Sequence, residues 1–190
     1  MKVAAPTPAQ EAPAPRDARR VAGRGGRPWL WLALGVALGL LLATQGATLM
    51  RVEGSSMAPS YPPGTVVLVL RPPLHALTRP GRGYRPGDVV VVAPPGGGLS
   101  LKRVAAVGPA TVAMARGELL VDGERSSAPV PVRAGVSDVP PTRLGPGELF
   151  VLGDDRRPLA SRDSRDYGPL PPAAVRGRVV AAWRPGGAGP

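Results

Sequence analysis

From Pro28 to Met50 the chain carries no charged residue. Such a run exceeds the roughly 20 residues that an α-helix needs to cross the hydrocarbon core of a bilayer. It therefore restricts the chain to three readings: a membrane anchor, a cleavable signal peptide, or a helix buried in a soluble protein. Arg16, Arg19, Arg20, Arg24 and Arg27 lead into the run, and Trp29 and Trp31 stand in its first turn, where interfacial aromatic rings belong. The length and the long basic leader favour an uncleaved single-pass anchor over residues 28–50. Basic residues on the N-terminal side place the N-terminus in the cytoplasm and everything after Met50 outside, with cell-membrane lipid as a partner. Gly35 and Gly39 form a small-xxx-small pair that can support helix pairing, but in so Ala- and Leu-rich a run the pair implies no dimer.

Beyond Gly64 the pattern changes to short β-branched runs separated by Gly and Pro. Thr65–Leu70, Asp88–Val92, Leu101–Val107, Thr111–Ala115, Leu119–Val121, Leu149–Leu152 and Val175–Trp183 each read as strands. The expected fold is mainly β: a compact antiparallel catalytic domain over 51–184 behind one N-terminal transmembrane helix, with 104–148 as a small second lobe or linking region. Arg71–Arg85 and Ser126–Pro141 read as loops. Residues 1–27, Ala/Pro-rich and then Arg-rich, read as a disordered cytoplasmic tail, and 185–190 as a flexible end.

Composition removes whole classes of chemistry. The chain has no cysteine, which excludes disulfides, thiolate zinc sites and a cysteine nucleophile. Its one histidine, His75, excludes a multi-histidine metal site and leaves a Ser-His-Asp triad a single possible base. No metal and no cofactor are expected. The net charge of +11 comes almost entirely from arginines spread along the chain. Without a basic helix or basic–aromatic alternation it does not point to nucleic acid.

Three segments carry candidate chemistry. Glu53-Gly54-Ser55-Ser56-Met57-Ala58-Pro59-Ser60 follows the apolar run, with Gly54 and Pro59 shaping a turn around two serines. In Leu99-Ser100-Leu101-Lys102-Arg103-Val104, Lys102 interrupts an apolar strand. Facing solvent it would be unremarked, but facing inward it would lose water, its pKa would fall, and it could take a proton from a serine hydroxyl. Gly153-Asp154-Asp155-Arg156 and Ser161-Arg162-Asp163-Ser164-Arg165-Asp166 alternate acid and base densely enough to close on themselves through charge-assisted pairs.

These segments, in this order behind an N-terminal apolar run and together with Arg85-Pro86-Gly87-Asp88-Val89-Val90-Val91, resemble the boxes of bacterial type I signal peptidases. The likeness runs from about Glu53 to Val180 and is weak between Ala110 and Pro146. It implies a serine–lysine endopeptidase that removes signal peptides from exported preproteins, cutting after small residues in an Ala-x-Ala pattern. Carried over by position, the nucleophile falls on Ser56, whose backbone N–H serves the oxyanion, and the general base on Lys102. Ser161 falls on the serine that orients the lysine amine, while Arg103, Asp154, Asp163 and Arg165 fall on residues that hold the site's shape. Met57, Ser100 and Leu101 are the candidates for substrate binding, with Leu99-Ser100-Leu101 as the strand edge that receives the peptide.

The chain departs from the pattern in three places. Gly54 stands where many members have a hydroxyl residue, Asp155 replaces an asparagine, and the loop from Gly153 to Asp163 is about two residues longer than usual. Two rivals compete. One keeps the chemistry and changes the substrate: a self-cleaving repressor with the same dyad would need a DNA-binding domain in place of the apolar run, whereas a maturation peptidase with one dedicated substrate stays open. A tethered binding protein would have no use for Ser56, Lys102 and Ser161. His75, in a Pro-rich stretch with no matching motif, is not expected to be catalytic.

Overall fold

The computed structural model describes residues 28–78, 83–127 and 138–185. The expected tail over 1–27, most of the 185–190 end and the middle of the Ser126–Pro141 loop lie outside them.

The apolar run is not one helix. Helix α1 covers Pro28–Gly46, and Ala47–Arg51 forms strand β1. The chain leaves the helix because Thr48, Leu49 and Met50 pair with Val69, Leu68 and Val67 of strand β2 (Val66–Leu70), and because the Gly46 carbonyl accepts the Arg71 N–H at 2.7 Å. At 1.5 Å per residue, the 19 residues of α1 reach about 28 Å, just under the roughly 30 Å of a bilayer core. Among the described residues no helix is long and apolar enough to cross a membrane. The anchor expected over Pro28–Met50 is corrected accordingly: its last four residues are strand.

All seven expected strands form. After β2 comes a short helix, α2 (Pro72–Thr78), then β3 (Val89–Val92), β4 (Ser100–Val107), β5 (Ala110–Ala115), β6 (Glu118–Val121), β7 (Glu124–Arg125), β8 (Val139–Leu144), β9 (Leu149–Leu152), α3 (Ser164–Tyr167) and β10 (Val175–Trp183). A six-stranded antiparallel sheet runs in the order β1-β2-β10-β3-β4-β9, and a four-stranded sheet in the order β7-β6-β5-β8. In β3 and β9 every residue is buried, consistent with unbroken apolar runs rather than alternating ones. Leu149 and Val151 pack with Val90, Val92 and Val104. Phe150 and Leu152 pack with Val112, Met114 and Leu144 of the second sheet.

Local chemistry explains the second sheet. Arg116-Gly117 and Asp122-Gly123 have positive φ at both residues, the requirement of a two-residue hairpin turn matched to strand twist. Strand β8 begins inside the expected Ser126–Pro141 loop. Its Pro140 and Pro141 sit where the β5 register shifts, between Val112↔Thr142 and Met114↔Val139, on the outermost strand of the sheet. That is where residues without an N–H are tolerated. Likewise Arg71–Arg85 is not all loop, since α2 occupies its start.

Candidate active site

The β1–β2 hairpin opens into an excursion that presents Ser56. Its neck is closed by Val52 N–H to Thr65 O and Gly64 N–H to Val52 O, both 2.8 Å. Inside, Ala58 N–H bonds Ser55 O at 2.9 Å and Tyr61 N–H bonds Met57 O at 2.8 Å, winding the backbone into a tight turn. The Met57 side chain, 0% exposed, anchors that turn. Among the described residues the Ser56 N–H has no hydrogen-bond partner within the protein, whereas the Ser56 carbonyl accepts Asp155 N–H at 3.0 Å.

Lys102 lies on β4 and is 2% exposed. Its Nζ lies 3.2 Å from Ser56 Oγ, 2.7 Å from Ser100 Oγ and 3.1 Å from the Leu101 carbonyl. Burial lowers its pKa from the ordinary lysine value, Asp163 pulls it back up, and Arg165 pushes it down again. A neutral amine has two N–H donors and one lone pair. The Leu101 carbonyl can only accept, and Ser100 Oγ can take the second N–H, which leaves the lone pair for the Ser56 hydroxyl proton.

The acidic–basic segment forms the wall behind the pair. Asp163, 0% exposed, accepts Gly153 N–H (2.9 Å), Ser161 Oγ–H (2.9 Å), Arg165 Nε (2.8 Å) and Arg165 Nη2 (2.9 Å). It also caps α3 in a reciprocal box with Asp166. Arg103 grips Asp154 with two bonds, 2.8 and 2.6 Å, and reaches the Gly87 carbonyl at 3.1 Å. The Arg85–Val91 segment thus serves the site through a backbone oxygen at a positive-φ glycine. Asp155 pairs with Arg157. Arg156 is 1% exposed, its Nε and Nη2 have no hydrogen-bond partner, and burial followed by Arg165 lowers its pKa. Gly153 is pinned by space: a Cβ there would lie 2.3 Å from Ser161 Oγ and 2.6 Å from Ser56 O.

A family model described as signal peptidase, peptidase S26, matches residues 27–184. The chain belongs to that family. The family indicates a serine peptidase, and the matched residues take in both sheets. Among solved structures the chain is similar to a signal peptidase I from Enterococcus faecalis V583, at 24% identity and a TM-score of 0.43, over 52% of this chain and 98% of that one. No curated protein matches.

The structure brings Ser56, Ser100, Leu101 and Met57 to one groove of about 430 Å³, and the buried Lys102 reaches Ser56 Oγ from beside it. Arg103, Asp154, Asp163 and Arg165 stand behind it. One arrangement differs from expectation: Ser161 bonds Asp163 rather than the amine, and Ser100 holds Lys102 Nζ instead. Sequence reasoning missed Met50, Val67 and Val91, which also line the groove. Met50 was hidden by its place in the apolar run. His75 lies apart on α2, stacked on Tyr84 with ring centroids 4.8 Å apart.

Proposed function

We propose that the chain is a membrane-bound endopeptidase that removes signal peptides from exported preproteins by a Ser56 nucleophile and a Lys102 general base. The observation that carries this reading is the 3.2 Å approach of the buried Lys102 Nζ to the Oγ of Ser56, which lines a groove. A buried lysine is costly when charged and is a usable base when neutral.

The substrate binds as an extended strand. β9 joins β4 only from Arg103 onward, so among the described residues Ser100–Lys102 have β3 on one flank and no strand on the other. A peptide fills that flank with main-chain hydrogen bonds. Met57 and Leu101 wall a shallow apolar site that suits the small side chains of an Ala-x-Ala pattern. Lys102 takes the hydroxyl proton as Ser56 Oγ attacks the scissile carbonyl, and the Ser56 N–H faces the developing oxyanion. The tetrahedral centre then expels the amine of the mature chain, which receives the proton from Lys102. Water, activated by Lys102, hydrolyses the acyl-enzyme and frees the signal peptide.

The apolar α1 and the basic residues before it support a cell-membrane location, with the N-terminus cytoplasmic and the β domain outside. The test is cleavage of a preprotein bearing an Ala-x-Ala site, in detergent, by wild type, Ser56→Ala and Lys102→Met. Wild type should cut after the final Ala, and both folded variants should lose at least about 10³-fold in rate. An intact preprotein with wild type, or cleavage by Lys102→Met, would sink the proposal.

A further inference from the structure

A second cavity, of about 550 Å³, adjoins the Ser56–Lys102 groove. Met50, Val91 and Leu99 line both, so the two are one continuous trough. Its own floor adds Val69 and Val175, and Arg71 and Arg176 stand at its rim. Thr48 of β1 lines only this second cavity and lies two residues beyond Gly46, where α1 ends. The trough therefore runs from the foot of the most apolar helix of the chain to the nucleophile. β1 is the first strand of its sheet, with β2 as its only neighbour among the described residues, and Leu99, at the junction of the two cavities, is 57% exposed.

On the reading of the site given above, we propose that this second cavity binds apolar side chains of the preprotein upstream of the scissile bond. A strand advances about 3.3 Å per residue, so a peptide running along β1 past Arg51 towards Thr48 brings residues on the order of four to seven positions before the cut into the cavity. The valine floor takes apolar side chains, and the two arginines at the rim disfavour basic ones there. The cavity thus measures how far the apolar stretch stands from the cut, which the shallow groove at Ser56 cannot sense.

The test compares two substrates: a short peptide with the Ala-x-Ala site and three residues before the cut, and a longer one that adds an apolar stretch. Wild type should favour the long substrate in kcat/KM, and Thr48→Trp, which fills the cavity, should reduce that preference about 10-fold, chiefly through KM. An unchanged preference overturns the proposal. A photoreactive residue at position 48 in the Ser56→Ala background gives an independent reading that needs no turnover. An adduct with the upstream stretch of the long substrate supports the cavity's role; an adduct with detergent or lipid alone, or none, overturns it. Cleavage of the short peptide by wild type keeps the peptidase reading whatever the cavity does, while failure to cut either substrate overturns both.

Discussion

Burying Lys102 makes its proton sensitive to its surroundings. Because burial lowers its pKa, activity should rise with pH through a midpoint below the ordinary lysine value, measured as kcat/KM against pH. Arg165 also lowers that pKa and Asp163 raises it. Arg165→Gln should therefore move the midpoint to higher pH, and Asp163→Asn to lower pH; shifts of the opposite sign would separate the wall from the base. The same burial has a stability signature. The unfolded chain holds the lysine proton more tightly than the folded one, so the excess stability of Lys102→Met over wild type should shrink as pH rises from the lowered pKa towards about 10.4, by at most about 1.4 kcal/mol per pH unit. Urea unfolding at several pH values measures it. Ser100→Ala should lower kcat about 10-fold with little change in KM, whereas Ser161→Ala should act through Asp163 and shift the pH midpoint. A larger kcat loss at Ser161 with no shift would return the amine-orienting role to it. The closeness of Ser56 and Lys102 was legible because their types and order are chemically unusual in a small β domain. That Ser161 turns to Asp163 while Ser100 reaches the amine was not, because it depends on tertiary placement of the Gly153–Asp163 loop against β4.

Among the elements, the strands were readable wherever valine and leucine ran unbroken between Gly or Pro turns, and the two hairpins of the second sheet follow from Arg-Gly and Asp-Gly at the turns. What failed did so for local reasons. β8 carries two prolines that argue against a strand unless it lies at an edge, and β1 is apolar enough to pass for the end of a helix. No periodicity announces α3 either, which is four residues long and rests on the Asp163–Asp166 capping box. The junction of β9 with the wall is an exacting element contact. Gly153→Ala would push a Cβ against Ser161 Oγ and Ser56 O, so kcat should fall about 100-fold while the far-ultraviolet circular dichroism spectrum stays unchanged. Gly54 is the opposite case: a Cβ there meets nothing within 4 Å. Gly54→Ser should fold normally and raise kcat a few-fold by offering the oxyanion a hydroxyl donor; a drop in kcat would mean that the hydroxyl points elsewhere.

Across the whole molecule, the apolar α1 joins a β domain whose trough begins at its foot. A chain starting at Ala47 should still cut a soluble Ala-x-Ala peptide, but should lose about 100-fold against a preprotein embedded in vesicles, where a shared surface raises effective concentration. The second sheet has a different relation to the rest. The chain leaves the six-stranded sheet after β4 and returns at β9, which lies directly beside β4. At that doorway Gly108 N–H bonds Glu148 O at 2.8 Å and Gly147 N–H bonds Gly108 O at 3.1 Å. The whole four-stranded lobe is thus spliced into what is otherwise a plain hairpin, and its entry and exit are already stitched together. Residues 109–147 therefore form a cassette: another folded module with closely spaced ends could be grafted there without moving Ser56 or Lys102, provided that it roofs Ala105, Ala106, Phe150 and Leu152, the four side chains that the graft would otherwise leave bare.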